Sequence, residues 1–139
     1  TLPVLPKQER SAVFNRARPQ GVRTDHIYRH MEKLFAAADI AVSMGRYHTL
    51  CEILGQGTLS LVIPRETPRQ EQIIRARAFA RQNLVDYIAW GEFSSDLLRQ
   101  KLLTLLANPD PYHEAISRFQ LTGIETMQKR LREFRCLKS

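Results

Sequence analysis

Two strand-then-helix patterns in the middle of the chain constrain the fold more than any other feature. The apolar residues 40–42 lead into a turn of small residues, and a helical pattern over residues 47–54 follows directly. A second apolar run, residues 59–63, is nearly continuous, as expected for a strand in a parallel sheet that is covered on both faces. Thr67 as an N-cap and Pro68 at the first helical position then predict another helix, to about Gln82.

The remaining segments extend this alternation of strands and helices, which predicts an α/β fold with a parallel sheet. About four strands are expected, which is few for an open doubly wound sheet and favours a missing piece at the N-terminus. The first residue is not Met, which fits either a fragment or removal of the initiator Met. The further predicted elements are helices over residues 7–18, 29–38, 95–107 (capped by Ser94) and 111–139 (interrupted near Gly123), and strands over residues 22–28 and 84–88.

Composition limits the class of protein without choosing a partner. The chain has 139 residues, enough for one domain with its own core. Its net charge of +7 suits nucleic acid, an anionic membrane or a phosphorylated small molecule. No apolar run approaches the roughly 20 residues that span a bilayer. Cys51 and Cys136 stand far apart, which favours a reducing, cytoplasmic setting and a buried structural thiol at Cys51.

The residues after the first strand suit an anion, since a helix N-terminus carries unpaired N–H groups and positive dipole charge. Gly45 either lets the backbone approach a phosphate or simply makes a tight turn. Thr49 either bonds a phosphate or caps the helix, and His48 is either a phosphate donor or a bystander. Glu52 either accepts bonds from sugar hydroxyls or lies on a solvated face.

Arginines cluster around these two helix starts, and one or two of them can neutralise a diphosphate in bidentate geometry. The residues show no P-loop and no nucleophile–base set, so by themselves they predict only an anion-binding α/β domain. His26 and His30 are four apart, but a metal pair is not expected because the helical pattern begins near Arg29. The arginines concerned are Arg46, Arg65, Arg69, Arg75, Arg77 and Arg81.

Residues 34–106 resemble the C-terminal, donor-binding domain of GT-B glycosyltransferases, of the family 28 type that includes the MurG-type enzymes. The family pattern ADl-x-(V/I)-S-x-G-G-x-N-T-x-x-E-x-L corresponds to ADIAVSMGRYHTLCEIL at residues 38–54. After the next strand, PR at residues 64–65 and EQIIRA at residues 71–76 continue the pattern. Two positions depart from it, because Arg46 replaces the second glycine and His48 replaces the usual Asn. Either the donor is held differently in this chain, or donor binding has weakened.

The resemblance implies a Rossmann-like parallel sheet with helices on both faces, in an N-terminally incomplete GT-B C-terminal domain. Residues 1–110 would form the nucleotide-sugar-binding domain, and residues 111–139 a helical tail that packs on it or on a missing N-terminal domain. The implied contacts are Gly45, Arg46, His48 and Thr49 to the diphosphate, Glu52 to the ribose, Ile27 and Tyr28 to the base, and Arg65, Glu71 and Gln72 to the donor sugar.

The resemblance also implies a function, namely the donor half of an enzyme that transfers a sugar from a nucleotide diphosphate, expected to be UDP, to an unidentified acceptor. No metal or other cofactor is expected, and no catalytic residue is assigned. The acceptor site would come from the missing domain or a separate subunit, through which membrane contact is possible, so the isolated chain should bind without turnover. The alternatives are a basic module that binds nucleic acid or an acidic partner, and a degenerate structural domain.

Overall fold

The structure, a computed structural model, describes residues 6–25, 28–68 and 70–119. These residues belong to two compact units, one ending at Met31 and the other beginning at Glu32. Ile27, Arg69 and the apolar stripe predicted in the tail at Ile124, Met127, Leu131 and Phe134 lie outside the described residues. Within the described residues, no helix has the length and apolar character needed to cross a membrane.

The N-terminal unit contains helix α1, Lys7–Ala17, which continues into a 3-10 helix, Arg18–Gln20. Gly21 ends it in the left-handed region at φ 71°, and the Val22 N–H donates to the Ala17 carbonyl. Together with the bond from the Gly21 N–H to the Arg18 carbonyl at 3.1 Å, this bond forms a Schellman cap, which satisfies the last carbonyls of the helix. The prediction of a strand over residues 22–28 is wrong for residues 22–25 and 28, which are irregular, because polar residues here offer no apolar face to bury.

The sheet in the second unit consists, in the described part, of three parallel strands in the order β1-β2-β3. They are β1, Ile40–Ser43, β2, Leu59–Val62, and β3, Asp86–Tyr87. The register aligns Val42 with Leu61 and Val62 with Tyr87. The strand β3 is shorter than the predicted 84–88, although the Ile88 N–H still donates to the Val62 carbonyl at 2.9 Å. The expectation of four strands is therefore not met among the described residues.

The helices, among them α5 (Ser95–Ala107), lie where the alternation predicted them, with two exceptions. These are the start of α4 (Glu71–Ala80) and the end of α6 (Asp110–Arg118), after which Phe119 is extended. Helix α5 starts as expected, because Ser94 Oγ accepts a hydrogen bond from the Leu97 N–H at 3.1 Å. Helix α4 begins only at Glu71, after a bend at residues 67–68, so Thr67 is not its N-cap. The helices are α2, Met31–Ala37, α3, Tyr47–Gly55, α4, Glu71–Ala80, α5, Ser95–Ala107, and α6, Asp110–Arg118, with a 3-10 helix at Trp90–Glu92.

Strand β2 is buried on both faces, as its continuous apolar sequence predicted. Leu61 packs with Leu105 of α5, whereas Val62 packs with Leu50 of α3 and Ala76 of α4. Successive residues of a strand point to opposite faces of the sheet. The fold is therefore the expected Rossmann-like α/β arrangement with helices on both faces.

Helix α6 is the described part of the predicted tail. Its Ile116 is buried in the same cluster as Leu50 and Leu54 of α3, and Phe119 packs against that cluster. Its apolar residues therefore complete the core of this unit. The division of the chain at residue 110 stays a prediction.

Candidate functional site

The three strands end at the same edge of the sheet because they run parallel. Ser43, Val62 and Tyr87 are their last residues, so the segments that follow them share this carboxyl edge. Open α/β sheets bind ligands in the crevice outside the carboxyl ends of their strands. Most of the residues predicted for the site lie on these segments or on the helices that they lead into.

Gly45 forms a buried turn between β1 and α3. Its φ is +74°, and a Cβ atom there would lie 2.6 Å from Val62 Cγ1. Its N–H donates to Ser43 Oγ at 3.3 Å, and its carbonyl accepts from Arg75 Nη1 at 2.9 Å. Packing and backbone conformation therefore account for this glycine without a phosphate. Of the two interpretations left open by the sequence, the structure supports the tight turn and leaves the phosphate contact a prediction.

Helix α3 presents its N-terminus at this edge, directly after the turn. The first bond within the helix runs from the Leu50 N–H to the Arg46 carbonyl at 2.9 Å, so the three N–H groups before Leu50 have no acceptor inside the helix. Arg46, the N-cap residue, has φ −64° and ψ 141°, and its side chain makes no capping bond. Because any residue adopts that conformation, arginine in place of the family's second glycine causes no backbone strain.

The exposed side of α3 collects the residues predicted for the diphosphate and the ribose. His48 and Glu52 are four residues apart and exposed, so they share one helix face. Thr49 is half-buried, whereas Leu50 and Ile53 face the core. His48, Thr49 and Glu52 thus lie on one helix, whereas Gly45 and Arg46, also predicted for the diphosphate, lie in the turn that precedes it.

The segment between β2 and α4 is held by side chains that accept bonds from backbone N–H groups. Gln72 Oε1 accepts from the Arg65 N–H at 2.9 Å, and Glu66 Oε1 accepts from the Trp90 N–H at 3.1 Å. Gln72, predicted to contact a sugar, therefore already supports its own loop through its carbonyl oxygen. Arg65 and Glu71, predicted for the same role, are exposed.

Arg75 reaches from α4 back to the start of α3. Besides its bond to the Gly45 carbonyl, its Cζ lies 5.6 Å from the centre of the Tyr47 ring. The sequence suggested this arginine only as one of several that can neutralise a diphosphate. Its contact with the turn was missed because no sequence spacing encodes a bond across thirty positions. Arg77 and Arg81 are exposed.

Tyr47 lies in the first turn of α3, and its pKa is raised above that of an ordinary tyrosine. A hydrogen bond with the Cys51 side chain, followed by the electrostatic effect of that side chain, raises the pKa of Tyr47, whereas the Arg75 guanidinium lowers it. Cys51 is half-buried, so the thiol is less buried than predicted. It lies one helical turn after Tyr47, close to the surface.

An aromatic pair that the sequence did not suggest follows β3. The rings of Trp90 and Phe93 stack with centroids 6.1 Å apart and planes at 13°. Both side chains are exposed, Trp90 by 62%. The bond from Trp90 to Glu66 joins this segment to the one after β2. No residue spacing in the sequence marks such a pair, because it depends on the turn between the two residues.

The predicted contacts to the base remain predictions. Tyr28 belongs to the N-terminal unit and Ile27 lies outside the described residues, so base binding stays a prediction. In the described part of the chain, no group of three or more His, Cys, Asp or Glu side chains could hold a metal ion.

Known proteins of similar sequence and fold identify the family of this α/β domain. The family model of the glycosyltransferase family 28 C-terminal domain matches residues 7–131, and the chain belongs to this family. A glycotransferase of kitacinnamycin with a solved crystal structure shares the fold, with a TM-score of 0.57 and 22% identity over 66% of this chain and 23% of that one.

Curated relatives carry the name UDP-N-acetylglucosamine--N-acetylmuramyl-(pentapeptide) pyrophosphoryl-undecaprenol N-acetylglucosamine transferase. One from Streptococcus pneumoniae (strain Hungary19A-6) is 29% identical over 101 residues, which are 71% of this chain and 29% of the relative. One from Streptococcus sanguinis (strain SK36) is 31% identical over 91 residues, or 64% of this chain and 26% of the relative. The matched region thus spans less than a third of the length of these relatives.

Proposed function

We propose that this chain binds the nucleotide diphosphate sugar donor of a glycosyltransferase at the carboxyl edge of its sheet. The observation that supports the proposal best is the start of α3. Its first N–H groups have no acceptor inside the helix, and His48 and Glu52 are exposed on the same helix. A helix N-terminus stabilises phosphate through these donors and through the positive end of its dipole.

In this proposal the diphosphate lies at the first turn of α3, near Arg46, His48 and Thr49, and Glu52 accepts hydrogen bonds from the ribose hydroxyls. The exposed Arg65 and Glu71 contact the donor sugar from the next segment. As the bond to the sugar breaks, charge grows on the leaving diphosphate, and the helix dipole and Arg46, at the start of α3, stabilise it. These groups supply the positive charge, so the proposal includes no metal ion.

The acceptor and its catalytic base are assigned to a part of the enzyme that this chain does not contain. The matched region covers 29% of a curated relative, so most of such an enzyme lies elsewhere. We place that part in a further domain or a separate subunit, on the cytoplasmic side of any membrane that it contacts. The isolated chain is then expected to bind donor without transferring sugar.

Calorimetry and thermal shift with UDP, GDP, TDP and UDP-N-acetylglucosamine test the proposal. UDP comes first because the relatives' names specify a UDP-linked sugar. We expect Glu52→Ala to raise the Kd for UDP at least about tenfold, which corresponds to the loss of one hydrogen bond to a charged group. Glu114→Ala is the matched control, since it removes an exposed carboxylate from α6.

Two results contradict the proposal. A folded chain that no nucleotide diphosphate stabilises at millimolar concentration has no donor site of this kind. Binding to RNA that weakens steeply with salt and is unchanged by Glu52→Ala instead indicates the basic interaction module that the +7 charge allows.

A further inference from the structure

Gly45 is buried, and side chains from two different elements satisfy both of its backbone groups. Ser43 accepts from its N–H, and the half-buried Arg75 donates to its carbonyl. A bond between a guanidinium and a carbonyl is charge-assisted, and such bonds are stronger than bonds between neutral groups. Arg75 is therefore placed to fix the turn more firmly than the weaker 3.3 Å contact from Ser43 does.

The bond to the Gly45 carbonyl also sets the direction of the next N–H group. In a trans peptide the C=O and the following N–H point in opposite directions within one plane. Arg75 holds the carbonyl side of the Gly45–Arg46 peptide, so the Arg46 N–H is directed away from Arg75. The orientation of the first donor ahead of α3 thus depends on a side chain of α4.

A second contact of the same guanidinium reaches the first residue of α3. The Cζ atom lies 5.6 Å from the centre of the Tyr47 ring, within the range of a cation–π interaction. Arg75 therefore contacts both the turn and the first helical residue. The two contacts together hold the helix start against α4 in one arrangement.

We propose that Arg75 is a positioning residue for the diphosphate, since it holds the Gly45 turn and Tyr47 in the arrangement that directs the first N–H groups of α3 towards the ligand. The assignment depends on the donor-binding function proposed above. Arg75 acts here through the backbone of the turn, and direct neutralisation of the phosphates is not part of its role. It differs in this from the exposed Arg77 on the same helix.

The experiment combines binding and NMR on the full chain, with Arg75→Ala, Arg75→Lys and the control Arg77→Ala, which removes the same charge from an exposed position. We expect Arg75→Ala to raise the Kd for UDP about tenfold, with affinity for uridine unchanged, because uridine has no phosphate. Arg75→Lys should show a smaller loss, since an ammonium can still donate to the carbonyl but lacks the planar fork of arginine. Arg77→Ala should bind as the wild type does.

The decisive measurement is the NMR spectrum of the free protein, recorded before ligand is added. The chain has only six glycines, so the Gly45 amide is readily identified, and we expect it and the Arg46 amide to shift or broaden in Arg75→Ala. A direct phosphate contact would lower affinity without moving the Gly45 amide of the free protein, and that result overturns the assignment. Wild-type affinity in folded Arg75→Ala also overturns it.

The two proposals fail in different ways. If the wild-type chain binds no nucleotide diphosphate, the donor-binding function and the role of Arg75 are both refuted. If the wild type binds UDP and folded Arg75→Ala binds it equally well, only the role of Arg75 is refuted. Should Arg75→Ala not fold, the same comparison is made between the wild type and Arg75→Lys.

Discussion

Helices α3 and α4 both begin at the carboxyl edge of the sheet, but their starts are built differently. The turn before α3 is buried, with Gly45 packed on Val62 and bonded on both sides. The segment before α4 is largely exposed and depends on Gln72 and Glu66 as acceptors. The first start is fixed by packing and by part-buried bonds, whereas the second is held by exposed bonds that compete with water.

This difference matches the ligand groups that each start would hold under the proposed function. A diphosphate is the common part of every nucleotide diphosphate donor, and the rigidly held N–H groups at the start of a helix suit it. The sugar varies between donors, and an exposed segment tolerates change more readily than a buried turn does. The predictions below test whether α3 is the rigid start and α4 the adaptable one.

The largest effect is expected from Gly45→Ala. The added Cβ meets Val62 Cγ1 at 2.6 Å and the residue stays at φ +74°, so we expect a loss of about 2–4 kcal/mol in the free energy of unfolding, measured by urea denaturation. Gly57→Ala is the control, because Gly57 has φ +73° but nothing within 4 Å of its Cβ position. It should lose about 1 kcal/mol, the cost of the left-handed backbone alone. Equal losses in the two variants would mean that the turn is not tightly packed.

A smaller effect is expected from Gln72→Ala. It removes the acceptor for the Arg65 N–H, and since that N–H is exposed and can bond to water, we expect a loss of about 0.5–1 kcal/mol. Gln70→Ala, next to the same helix start and without a capping bond, serves as the control. Under the proposed function, affinity for UDP-N-acetylglucosamine should fall more than affinity for UDP. A loss of stability as large as that of Gly45→Ala would refute the adaptable character of this start.

The smallest effect concerns the titration of Tyr47. Its pKa is raised mainly by the hydrogen bond with Cys51, so the phenol stays neutral to a higher pH than an ordinary tyrosine does. Cys51→Ala should lower the pKa of Tyr47, and Arg75→Ala should raise it further, because the guanidinium favours the phenolate. Ultraviolet titration of each variant, minus the same variant with Tyr47→Phe, measures this pKa among the four tyrosines. An unchanged pKa in Arg75→Ala would place the guanidinium away from the ring in solution.

Local signals in the sequence predicted much of the second unit. The apolar run at residues 59–63 predicted a strand buried on both faces, and Ser94 predicted the start of α5. The Thr67–Pro68 signal failed for α4, since residues 67–68 form a bend and the helix begins at Glu71. The strand predicted over residues 22–28 failed too, at residues 22–25 and 28, because the polar residues there offer no apolar face to bury.

The candidate site was likewise predicted in part from the sequence and decided in part by the tertiary structure. The order of strand, glycine turn and helix around Gly45 and Glu52 was sufficient to place the candidate residues on α3, and the resemblance of that motif indicated the family. No local pattern could show that Gln72 supports its own loop or that Trp90 stacks on Phe93. These contacts depend on how segments far apart in sequence, or the two sides of a turn, come together.

The sequence by itself determined the α/β class, the positions of β1, β2, α3 and α5 and the membership of the glycosyltransferase family. Hydrophobic period, glycines and caps act within a few residues, so the chain displays them directly. The tertiary structure alone decided why residue 45 must be glycine and what Arg75 contacts. Both depend on atoms that only the folded sheet brings together, namely Val62 beneath the turn and the guanidinium of α4 beside it.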